Sequence, residues 1–143
     1  MRHQALLVPL LALSAAVAAL LQGCATPVAV NPESEDKQTA VYQAGTFRGA
    51  VDASMQTVFR HAIRVMDASD YFRTGEIHGE DSIKIFARMA GDKKVRVTIK
   101  PLEAKDAEDA PTAGTQINIR IGLLGSLPES QQLFAKIRKS VSG

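Results

Sequence analysis

The chain is short of several things. Its 143 residues include one cysteine, no tryptophan, two tyrosines and five phenylalanines. A single cysteine excludes an intramolecular disulfide. Seventeen basic residues stand against fifteen acidic ones, a net charge of +2 that lacks the strong basic excess of a nucleic-acid binder. There is no Gly-x-Ser-x-Gly elbow and no phosphate-binding Gly-Lys-Ser/Thr loop. His3, His61 and His78 fall at spacings that do not build a metal site. The acidic run with Glu103, Asp106, Glu108 and Asp109 lacks the ligand rhythm and central glycine of a calcium loop. These absences give no basis for an enzyme, a cofactor or a metal centre.

What is present begins with export. Arg2 and His3 precede an apolar run from Ala5 to Leu21, interrupted only by Pro9 and Ser14. A basic start followed by such a run is the layout of a signal peptide. A transmembrane anchor normally needs about 20 apolar residues, and this run is shorter. Leu21-Gln22-Gly23-Cys24 follows directly. It resembles the lipobox of bacterial lipoproteins, in which the peptidase cuts between Gly23 and Cys24 after the thiol has received diacylglycerol. The resemblance implies a signal peptide over 1–23, lipid on Cys24 and a membrane anchor. Each buried CH₂ contributes about 0.8 kcal/mol, and stable anchoring needs more than one acyl chain. Among Gram-negative lipoproteins, Ala25 in place of Asp after the cysteine implies the outer membrane, facing the periplasm. Residues 24–40, with Pro27 and Pro32, read as the lipidated cysteine and a flexible tether.

The folded body is expected over 41–143. Residues 41–51 read as one strand containing Gly45 and Gly49. Asp52 or Ser54 then caps a helix whose apolar stripe is Met55, Val58, Phe59, Ala62, Ile63 and Met66. Residues 71–78 form a further strand. The clearest hairpin pairs Ile83, Ile85, Ala87 and Met89 with Val95, Val97 and Ile99. A last strand places Ile117, Ile119 and Ile121 on one face. Ser126 and Glu129 have capping-box spacing before a closing helix with Leu133, Phe134, Ile137 and Val141. The expected fold is α+β: an antiparallel sheet of about five strands, ordered β-α-β-β-β-β-α, with two helices on one face.

The run from Gly45 through the Ala62 helix, Ile85-Phe86-Ala87-Arg88, the segment Thr115 to Gly122, and Gly125 to Ser130 together resemble an uncharacterised family of small bacterial lipoproteins. The resemblance covers nearly the whole body. That family often has Asp where Ser126 stands here, so a hydroxyl replaces a carboxylate cap. It implies fold and localisation and assigns no activity.

One surface stands out. If both helices cover the isoleucine face, the opposite parity presents Lys84, Phe86, Arg88, Arg96, Lys100 and Arg120 together, with Gln116 and Asn118. Such a cationic, partly apolar face suits an envelope protein, an anionic lipid headgroup or a cell-wall glycan. The plainer alternative is a solvated face whose basic residues discourage aggregation. The expected function is therefore binding or assembly in the cell envelope, without catalysis.

Overall fold

A computed structural model describes residues 25–31, 39–103 and 114–143. The signal segment, Cys24 and its cleavage bond, residues 32–38 of the tether and residues 104–113 lie outside the described residues. The elements are β1 (Thr26–Ala29), β2 (Thr39–Gln43), β3 (Thr46–Val51), α1 (Met55–Asp67), β4 (Phe72–His78), β5 (Ile83–Met89), β6 (Lys93–Pro101), β7 (Thr115–Ile121) and α2 (Leu127–Ser142). The strands form one antiparallel sheet in the order β1-β2-β3-β7-β6-β5-β4. The α+β class, the antiparallel sheet and the two helices among the described residues are as expected, and the sheet there has seven strands where about five were expected.

Two local features account for the difference. Residues 41–51 are not one strand. Ala44 and Gly45 have φ of 49° and 74°, and Gln43 pairs with Thr46 across them. Two positive φ values in a two-residue loop match the right-handed twist of a hairpin, so the chain reverses there. The reversal also breaks the parity: Val41 shares a face with Arg48, while Tyr42 shares one with Phe47. The second feature is β1, which lies inside the stretch expected to be a tether. Thr26 to Ala29 pair with β2, Val30 and Ala40 are buried, and Gln131 Nε2 donates to the Ala29 carbonyl at 2.8 Å. An edge strand tolerates Pro27, which a central strand would not.

Alternation dictates the core. Phe47 and Val51, Ile83 and Ile85, Val95, Val97 and Ile99, and Ile117, Ile119 and Ile121 all bury on one face. Against them α1 brings Val58, Ala62 and Met66, and α2 brings Leu133, Phe134 and Ile137. The Phe134 ring lies over Gly49, where an added Cβ would come within 2.5 Å of it, and its centroid is 5.2 Å from that of Phe47. Ser54, one of the two expected caps, accepts from the Thr57 N–H at 3.2 Å. The capping box expected at α2 does not form: Ser126 makes no side-chain cap bond, and Glu129 instead accepts from Lys93 Nζ at 2.7 Å. His61 Nδ1 meets Ser140 Oγ at 2.8 Å, joining the two helices.

Candidate functional site

The register sets out the face opposite the helices. One cross-strand row runs Ile77, Lys84, Thr98, Asn118, Arg48. The next runs Gly75, Phe86, Arg96, Arg120, and a third runs Phe72, Arg88, Lys94. Lys100 lies opposite Gln116 in a further row. All six residues singled out from the sequence thus share one face. Arg48, Lys94, Phe72 and Ile77 lie there too and were missed. Arg48 fell inside a strand misread as unbroken, and residues 71–78 had no clear parity.

These cations are not equivalent. Arg88 pairs with Asp92, and Lys100 Nζ lies 3.4 Å from Glu103 Oε1. The Arg120 guanidinium donates to the carbonyls of Ala44 and Leu123, so it braces two turns. Among the described residues Arg48, Lys84, Lys94 and Arg96 make no ion pair. Arg96 directly faces Arg120, and Arg88 faces Lys94, arrangements that disfavour the sheet through like-charge repulsion. Phe86 is half-buried and faces Gly75, where an added Cβ would meet nothing within 4 Å. The space over Gly75 is therefore open, with Phe72 and Ile77, 74% and 55% exposed, along the same strand. In the adjoining row Asn118 Oδ1 is buried without a hydrogen-bond partner.

The helix side carries a different group of charges. Arg73 holds Asp67 through two bonds of 2.6 and 2.9 Å and Glu76 through one of 2.7 Å. Glu76 also meets His78 Nε2 at 3.1 Å, and the His78 ring stands edge-on to Phe59 at 5.0 Å. Bonding to Arg73 lowers the Asp67 pKa and raises that of Arg73. Asp67, Arg73, Glu76 and Phe59, with Arg60 and Arg64, line an open groove of about 810 Å³ between α1 and β4. Asp67, Arg73 and Glu76 are matched by partners, which makes them a brace between helix and strand, while Arg60 and Arg64 on the same groove make no ion pair among the described residues. Neighbouring Tyr71 has its pKa raised by burial and then by Glu129, and Lys93 lowers that of Glu129.

Among the described residues no group of three or more His, Cys, Asp or Glu gathers to hold a metal, and no helix is long and apolar enough to cross a membrane. A family model described as a protein of unknown function, DUF3568, matches residues 6–140. Among curated proteins, none matches the chain.

Proposed function

The chain belongs to the DUF3568 family, and we propose that it is a lipid-anchored envelope protein whose domain binds a partner through the open sheet face. Export and lipidation rest on the Ala5–Leu21 run and Leu21-Gln22-Gly23-Cys24. The family match begins at residue 6 and so takes in this segment with the body. Ala25 after the cysteine favours the outer membrane, facing the periplasm.

The binding reading is carried by one observation. Half-buried Phe86 faces the open space at Gly75, with Lys84 and Arg88 two residues away on its own strand and Arg96 opposite. Arginine and aromatic side chains are the types enriched at protein interfaces, and unpaired cations favour an acidic partner. An acidic envelope protein with an apolar side chain fits this pattern best. An anionic glycan or lipid headgroup is the second reading, favoured by Arg48, Lys84 and Arg96, which lack acidic partners among the described residues. The domain works by binding, and no catalytic residue, cofactor or metal is assigned.

Combined Lys84→Glu and Arg96→Glu substitution tests this reading. Crosslinked capture from envelopes should lose its partner while the folded, exported protein persists. A protein in the wild-type capture supports the first reading, and a glycan or lipid supports the second. An unchanged capture profile removes the face from the function.

A further inference from the structure

Among the described residues, the two most exposed large apolar side chains lie off this face. Leu123 and Leu124 are 88% and 85% exposed at the turn between β7 and α2. A loose turn would give such residues little meaning, but this turn is built. Gly122 and Gly125 have φ of 78° and 89°, values that L side chains rarely adopt. The Gly122 N–H donates to the Lys94 carbonyl at 2.8 Å, and Arg120 Nη2 donates to the Leu123 carbonyl at 2.5 Å. The Ala44–Gly45 turn presses against it. A Cβ at Gly125 would fall 2.1 Å from the Gly45 carbonyl oxygen, and one at Gly45 would fall 2.2 Å from that of Leu124. Arg120 ties both turns together through Ala44.

The position of this tip gives it a partner. Thr26, Tyr42, Phe47 and Ile119 form one cross-strand row, so the start of β1 lies at the same end of the sheet as the tip. Ala25, the residue that follows Cys24 in the chain, precedes that row. Three strand spacings of about 4.8 Å separate β1 from β7, or about 14 Å sideways. A lipid attached one residue before Ala25 brings a bilayer surface to the end where both leucines protrude. Charge adds little here. Asp92 and Glu129 at this end already pair with Arg88 and Lys93, and exposed Asp70, just before the row of Phe72, Arg88 and Lys94, offsets the exposed Lys94.

We propose that Leu123 and Leu124 insert into the interface of the bilayer that carries the Cys24 lipid. This inference rests on the lipoprotein reading above. With that end down, the cationic sheet face stands away from the bilayer plane and remains open to a partner.

The scarcity of cysteine makes the test direct, because acylation of Cys24 leaves no other thiol in the mature chain. Leu123→Cys and Leu124→Cys are made singly in the full chain, processed in cells, and labelled with a polarity-sensitive fluorophore. Lys139→Cys, near the far end of α2, is the control. The exposed leucines leave little packing to lose. In vesicles of phosphatidylethanolamine and phosphatidylglycerol, labels at 123 and 124 should shift to shorter wavelength. Spin labels on the lipid should quench most of their emission, with the Lys139→Cys label unaffected. Acylated protein whose tip labels stay in water overturns the insertion alone. A mature chain with unmodified Cys24 by mass spectrometry overturns the lipoprotein reading and the insertion with it.

Discussion

The two faces of the sheet are built from the same strands and behave as opposites. On the helix side, isoleucines, valines and Phe47 interlock with Phe134 and Met66, and the burial of apolar area holds the element order together. On the other side, Arg48, Lys84, Lys94 and Arg96 stand without carboxylate partners among the described residues, and two like-charged pairs oppose each other across strands. One face contributes stability. The other, where like charges oppose each other across strands, detracts slightly from it. The contrast is therefore quantitative and can be broken.

The largest effect should come from Phe134→Ala. Phe134 is fully buried, lies over Gly49 and contacts Phe47. Removing it opens a cavity that the Gly49 backbone cannot fill, at a cost of about 3–5 kcal/mol. Small domains hold only about 5–15 kcal/mol in total, so the variant should be close to unfolding at 37 °C. Urea denaturation should show a much lower midpoint with an unchanged slope. A loss near zero would mean that α2 does not depend on this ring for its seat.

An opposite and smaller effect is expected from Arg96→Gln. Like charges directly opposite each other are destabilising, with cross-strand terms of about 0.2–1 kcal/mol. Arg120 is already turned toward Ala44 and Leu123, which places the gain at the lower end of that range. The variant should be slightly more stable than wild type at low salt. At about 1 M salt, where the Debye length is about 3 Å, the two should converge. A destabilised variant would show that the Arg96 stem contributes packing beside Phe86, and that the faces are less distinct than the register implies.

That contrast was largely legible in the sequence, and the reason is period. Val95 to Ile99 and Ile117 to Ile121 alternate strictly, and Ile83 to Met89 does so but for Phe86, so core and open faces separate without any knowledge of pairing. The six singled-out face residues follow from the same alternation. What escaped depends on contacts distant in sequence or on backbone angles. Ala44 at φ 49° gives no turn signal of its own, so β2 and β3 read as one strand. Pro27 disguised β1, whose strand state rests on pairing with β2 and on Gln131, far along the chain. Nothing in the sequence around Leu123 and Leu124 marks them as exposed. Only the left-handed glycines on either side and the brace from Arg120 turn them outward.

The smallest effect separates the rim of the covered face from the open face by pH. Asp67 has its pKa lowered chiefly by bonding to Arg73, and Glu129 by bonding to Lys93. A carboxyl whose folded pKa lies below its unfolded value binds fewer protons when folded. Its contribution is present above the unfolded value, about 4, and is lost as pH falls through the lower folded value. Both pairs are solvent-exposed, so the loss is small. Arg73→Gln should still flatten the fall of Tm below about pH 4, because Asp67 then titrates alike in both states. Lys84→Gln, on the face where that cation has no carboxylate partner among the described residues, should leave the acid limb unchanged. If Lys84→Gln flattened the limb as much as Arg73→Gln, Lys84 would have a carboxylate partner in the folded chain. The open face would then be internally neutralised, and its cations would no longer favour an acidic partner.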